Sequence, residues 1–260
     1  MGVPSMDLEK GSVAIVTGGG TGIGRAVCHA LARAGARAVM VNYSRSRDDA
    51  DKTASELAEA GCEGVAVQAD VAREAEVKVL VARTVDRFGR LDVLVNNAGT
   101  TRYLDFPNLD AVTDEVWDAI LGVNLLGAFY CSRAAAPALR AARGAIVNVA
   151  SISGHRGAGS SLPYGVSKAA LIQLTRGLAV ALAPEVRVNS VSPGQVVTRW
   201  ARLARGEAFA RAIEAESAAQ TPLGACASPE HVAQAVMGLI QSEFVTGQDL
   251  VVDGGRNATY

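Results

Sequence analysis

Seven short apolar runs, separated by amphipathic segments, constrain the fold more than any other feature of the sequence. They are VAIVT (13–17), RAVMVN (37–42), GVAVQAD (64–70), LDVLVNN (91–97), GAIVNVAS (144–151), VRVNSVS (186–192) and DLVVD (249–253). Several are continuously apolar rather than alternating, which suits strands of a parallel sheet covered on both faces. The segments between them, such as GRAVCHALARAG (24–35) and TASELAEAG (53–61), read as helices that each stop at a glycine fit for the C′ position. This alternation predicts an α/β doubly wound sheet with right-handed crossovers. A length of 260 residues suits one such domain, 1–260. Only residues 195–228 break the rhythm. They are helical and polar, lie between the sixth and seventh runs, and predict a lid over the strand ends.

The first run leads into TGGGTGIG (17–24) and then a helix. Gly18, Gly22 and Gly24 allow a tight turn and close approach of backbone to a pyrophosphate, and the helix N-terminus supplies free N–H groups. A glycine motif between the first strand and the first helix is the context that gives it meaning. The end of the second run selects the dinucleotide. A carboxylate there favours NAD, and a basic residue favours the 2′-phosphate of NADP. The chain reads Tyr43, Ser44, Arg45, Ser46, Arg47, with no carboxylate before Asp48. A guanidinium beside hydroxyls matches a phosphate dianion. NADP(H) is therefore favoured, with NAD(H) as the alternative.

The matches in sequence order are TGGGTGIG, Asp70 after the third run, NNAG (96–99), Asn124 in GVNLLG, Ser151, Tyr164-xxx-Lys168, PGQVVT (193–198) and TGQDLVVDGG (246–255). Together they resemble the short-chain dehydrogenase/reductase family in its compact form, from about Gly11 to Gly255. The resemblance implies a seven-stranded, mostly parallel Rossmann sheet. It implies that Thr21 and Ile23 of the glycine loop meet the cofactor and that Asp70 and Val71 meet adenine. Asn96 and Asn97, with Ala98 and Gly99, would lie against the ribose and adenosine. Pro193, Gly194, Val196 and Thr198 would face the nicotinamide end. It implies Tyr164 as proton donor and acceptor, Lys168 as its electrostatic partner, and Ser151 as substrate orienter. Asn124 would hold a water linking Lys168 to solvent. A homo-oligomer, tetramer or dimer, is also implied.

The chemistry explains the set. Reducing a carbonyl needs a proton for the developing alkoxide, and a phenol of pKa about 10 gives one up poorly at neutral pH. An ammonium about 4 Å away, at an effective dielectric near 20, favours the phenolate by about 4 kcal/mol, or roughly three pKa units. The expected phenol pKa is then about 7. Spacing i, i+4 puts Tyr164 and Lys168 on one helix face, and Pro163 suits the first turn of that helix. Ser151 ends the fifth strand, at the carboxyl edge where such sheets bind ligands. Ser153 and His155 are nearby candidates for supporting or pocket-lining roles, whereas His29 and His231 read as structural. Trp200 could cover the substrate or pack on another subunit.

Three departures from family habit bear on the substrate. Thr21 stands where many NADPH-using relatives carry arginine. The stretch from Gly99 to Asn124, with FPNLDAV at 106–112, is slightly long. At places where ketoacyl-carrier-protein reductases dock a carrier with arginines, this chain has Ala142 and Glu185, and Ala225 replaces a further arginine. The expected activity is hydride transfer between NADP(H) and a carbonyl or secondary alcohol. The alternatives are a 3-oxoacyl-carrier-protein reductase, an NAD-dependent alcohol dehydrogenase and a non-catalytic dinucleotide sensor. A net charge of −1 provides no field for nucleic acid or anionic membrane. Cys28, Cys62, Cys131 and Cys226 lack disulfide or zinc spacing, which fits a cytoplasmic protein. No G-x-S-x-G elbow supports serine hydrolysis. The N-terminus has no apolar signal core, and no apolar run reaches the roughly 18 residues of a membrane span.

Overall fold

The computed structural model describes residues 11–259, so the N-terminal segment read above for a signal core lies outside the described residues. Seven strands form one sheet: β1 (Val13–Val16), β2 (Ala38–Tyr43), β3 (Glu63–Gln68), β4 (Val93–Asn96), β5 (Ala145–Val149), β6 (Arg187–Pro193) and β7 (Asp249–Val252). Their order is β3-β2-β1-β4-β5-β6-β7, and all six pairings are parallel. Each expected run is a strand. The central runs are continuously apolar because each face meets its own core. Ala14 and Val16 of β1 pack with α1 (Gly22–Arg33), α2 (Arg47–Glu59) and α8 (Pro229–Gln241). Val13 and Ile15 point the other way, into a core shared with α3 (Glu74–Phe88), α5 (Ala128–Ala142) and α6 (Leu162–Leu182).

Helix α2 begins six residues before the run that the sequence marks as helical. Arg47, Asp48 and Asp49 show no apolar period, but two carboxylates in a first turn suit the positive end of a helix. Helix α4 (Asp114–Leu121) continues through a widened π-helical turn, Gly122–Gly127, into α5. That 29-residue stretch is long and apolar enough to cross a membrane by length and composition, contrary to the expectation that no segment reaches that length. Its buried residues, including Ile120, Asn124, Cys131, Ala135 and Leu139, recur at helical spacing and pack inward. One face of the stretch is thus a core face, while Leu126 on another is exposed. Helix α7 (Arg199–Ala219), inside the expected insertion, is broken at Gly206, whose φ of 85° a glycine adopts without strain.

Candidate active site

A cleft of about 950 Å³ opens along the carboxyl edge of the sheet, where β1 and β4 lie side by side and the chain turns to opposite flanks. This is the switch point at which doubly wound sheets bind ligands. Its floor is the glycine turn. Gly18 (φ 63°) reverses the chain, and a Cβ on Gly24 would fall 2.2 Å from Gly18 O. Gly24 itself does not line the cleft. Contrary to its assignment as a cofactor contact, it is bare so that α1 can seat against the turn. Thr21, at the N-cap, makes no side-chain cap bond, and Thr21, Gly22 and Ile23 face the cleft. The first N–H groups of α1 are thus presented to it. Asn97 Nδ2 donates to Thr17 O (2.8 Å) and Gly18 O (3.1 Å), and Thr17 Oγ1 accepts from Asn97 N and Ala98 N (both 2.9 Å). These bonds pin the glycine turn to the end of β4.

Asn96 does not lie in the cleft. Its Nδ2 donates to Asn148 Oδ1 (2.8 Å), Ser132 Oγ (3.1 Å) and Ala128 O (3.3 Å) beneath the sheet. Neighbouring strand residues point to opposite faces, so of the two asparagines only Asn97 with Ala98 and Gly99 lines the site. At the other end, Tyr43, Ser44 and Arg45 line the cleft, with Ser44 and Arg45 exposed. The Tyr43 hydroxyl accepts from Arg47 Nε (3.1 Å), and Ser46 is the N-cap of α2, with no side-chain cap bond. Asp70 and Val71 also line the cleft. Asp70 Oδ1 accepts from Ala72 N (3.1 Å), which shapes the turn into α3.

Ser151, Tyr164 and Lys168 meet at the cleft's inner end. Ser151 caps a short 3₁₀ turn, Ile152–Gly154, and its Oγ accepts from Ser153 N (3.1 Å). Ser161 caps α6, and Pro163 lies in its first turn as expected, setting Tyr164 near the helix start. Lys168 is buried, and its Nζ donates to Val149 O (2.7 Å) at the end of β5. Nζ lies 5.7 Å from the Tyr164 ring centre. Pro193, Gly194, Val196 and Thr198, at and beyond the end of β6, face the same space.

A family model described as enoyl-(acyl carrier protein) reductase matches residues 18–257. The chain belongs to the short-chain dehydrogenase/reductase family. A Streptomyces violaceoruber protein named for a ketoacyl reductase role in the granaticin polyketide synthase is 46% identical over 252 residues, 96% of this chain and 98% of that one. A 3-oxoacyl-[acyl-carrier-protein] reductase of Synechocystis is 38% identical over 248 residues, 94% and 96% of the two chains. The crystal structure of a gluconate 5-dehydrogenase from Burkholderia cenocepacia, in complex with NADP and tartrate, matches with a TM-score of 0.87 at 32% identity over 97% of each chain. As a short-chain dehydrogenase/reductase, the chain is an oxidoreductase of a family that uses NAD(P).

Within this short-chain dehydrogenase/reductase, the electrostatics differ from the sequence argument. Burial pushes the Tyr164 phenol up to about 12, against a lowering by its hydrogen bond to Ser151. Burial also lowers Lys168 to about 8. The phenol therefore does not sit near 7 in the protein alone. The lysine spends its ammonium on Val149 O and is itself desolvated.

Asn124 lies in the widened turn and does not line the cleft. Its Oδ1 accepts from Thr100 N (2.8 Å), and its Nδ2 donates to Thr100 O (3.0 Å) and Ser167 Oγ (3.0 Å). Both amide hydrogens are spent, so a water reaching Lys168 would have to use an oxygen of this residue. The other candidates resolve clearly. Ser153 lines the cleft, but His155 does not; its Nε2 lies 2.7 Å from Asp249 Oδ2. His29 pairs with Glu56, and His231 closes a capping box with Ser228. Trp200, Arg205, Phe209 and Ile213 of α7 line the cleft.

Sequence reasoning missed Tyr103. Its ring meets Phe209 edge-on at 5.5 Å, and Arg205 Nη2 donates to Tyr103 O (3.0 Å). The partners are about a hundred residues apart, and no local pattern marks them.

Proposed function

We propose that the chain interconverts a ketone and a secondary alcohol with NADP(H). The observation that carries this is the meeting of Ser151, Tyr164 and Lys168 at the inner end of a cleft whose floor is a phosphate-fitting glycine turn. The residues fit a dinucleotide. Gly22 lines the cleft at a positive φ of 52°, the first N–H groups of α1 open beside it, and Ser44 and Arg45 stand exposed at the far end for a 2′-phosphate. Bound NADP(H) would supply or take up the hydride.

The chain's own groups handle the proton. Ser151 Oγ hydrogen-bonds the carbonyl oxygen and holds it beside Tyr164. The buried phenol stays protonated at neutral pH, which suits donation to a developing alkoxide. Lys168 holds the phenol's surroundings positive when charged, and Asn124 positions it by tying the loop at Thr100 to α6 through Ser167. Helix α7 serves as lid, its apolar wall excluding water.

Among carbonyl compounds, a ketoacyl chain is the preferred substrate. The support is the name of the 46% identical relative and the apolar wall of Tyr103, Trp200, Phe209 and Ile213. With Ala142 and Glu185 in place of docking arginines, free thioesters or a different carrier surface fit better than the usual carrier contact. Free thiols support a cytoplasmic location, and exposed Leu126, Val166 and Val180 support a homo-oligomer, dimer or tetramer. The test is NADPH oxidation against a panel of acyl thioesters, free keto acids, sugars and simple ketones. Turnover confined to sugars or simple ketones would overturn the ketoacyl assignment, and no turnover with any of them would favour a dinucleotide sensor.

A further inference from the structure

An ion pair lies across the dinucleotide cradle. Arg199, the first residue of α7, places Nη1 2.7 Å from Oδ2 of Asp49 in the first turn of α2. The neighbours of the two partners fix where the pair sits. A Cβ on Gly22 would lie 3.4 Å from Thr198 Cγ2, and one on Gly20 would lie 2.9 Å from Ala50 N. The pair therefore crosses the middle of the glycine turn, with Asp49 on the Gly20 side and Arg199 on the Gly22 side. Arg199 lines the cleft beside Thr21, Gly22 and Ile23, whereas Asp49 does not.

A guanidinium fork accepts a phosphate as readily as a carboxylate. Both side chains are about two-fifths exposed (42% and 41%), and a pair so solvated is easily broken. We propose that Arg199 exchanges Asp49 for the pyrophosphate of the bound dinucleotide, so that the lid's first residue clamps the cofactor while Asp49 competes with it. The inference rests on the dinucleotide-binding reading above. It assigns the pyrophosphate rather than the 2′-phosphate because the pair crosses the glycine turn, while Ser44 and Arg45 mark the other end.

The test is equilibrium titration with NADP⁺ and with NAD⁺, followed by emission of Trp200 in the cleft with Trp117 replaced by Phe throughout. Arg199→Gln should weaken both dinucleotides about tenfold, and Arg199→Lys should restore part of the loss. Asp49→Asn should tighten both severalfold when Arg199 is present and change nothing in the Arg199→Gln background. Equal tightening in both backgrounds would show plain repulsion by Asp49 and overturn the exchange. A loss confined to NADP⁺, or no loss, would overturn it as well. If the unsubstituted protein binds neither dinucleotide, the functional reading itself fails. Binding that ignores Arg199 refutes the clamp alone.

Discussion

Replacing Lys168 by methionine should stabilise the ligand-free protein by an amount that shrinks as pH rises. Lys168 is 3% exposed, and burial lowers its pKa from 10.5 to about 8. The charged form is disfavoured in the fold, so the penalty is full below the folded value and fades as pH climbs towards 10.5. Linkage places it at about 3 kcal/mol at pH 7 and about 1.4 kcal/mol at pH 9.5. Methionine fills similar space without a charge. Losing the bond to Val149 O subtracts roughly 1 kcal/mol, but that offset does not vary with pH. The stability gap between variant and parent should therefore narrow by about 2 kcal/mol from pH 7 to pH 9.5. Urea unfolding of both proteins at the two pH values measures it, and titrations shared by the two cancel. A gap that is constant or widens with pH would refute the idea that this lysine is held against its charge.

Other substitutions test separate parts of the site. Tyr164→Phe should cut turnover about 10²–10⁴-fold while dinucleotide titrations stay near normal; near-normal turnover would remove the phenol from the proton step. Arg45→Ala should reduce the preference for NADPH over NADH about tenfold in paired affinity measurements, and an unchanged ratio would move the 2′-phosphate elsewhere. Asn124→Ala removes three hydrogen bonds and should cost about 2–4 kcal/mol in urea unfolding, since it also strands Thr100 N and O. Gly24→Ala should displace the glycine turn and abolish dinucleotide binding, because its Cβ would meet Gly18 O at 2.2 Å; unimpaired affinity would show that the turn yields.

What was legible in the sequence followed from period and order. The seven strands could be read because a doubly covered sheet demands unbroken apolar runs, and their ends located Ser151 and the glycine turn. Facing was harder to read. Asn96 and Asn97 are adjacent and chemically identical, and only the pleat of β4 sends one into the core and the other to the cleft. The start of α2 was hidden because Arg47, Asp48 and Asp49 are helical through charge at a helix end rather than through apolar spacing. The Tyr164 pKa was misjudged because spacing gives proximity to a lysine but says nothing about how dry both groups are. The Tyr103–Phe209–Arg205 wall joins distant segments and had no local signature.

The strand order also governs how the molecule comes into being. β1 is an interior strand of the sheet yet precedes the others in the sequence, and the edge that pairs with β4 waits for it; Val13 N bonds Asp92 Oδ2 across 79 positions. At about 5–20 residues per second of synthesis, roughly 4–16 s separate Val13 from Asp92, an interval in which β1, β2 and β3 exist without β4. The ligand cradle lies on that same seam, since Thr17 and Gly18 are held by Asn97 just past β4. A growing chain thus carries its glycine motif early but acquires a phosphate-fitting shape only when the seam closes. Slow recruitment of distant strands is then the step at which aggregation competes with folding.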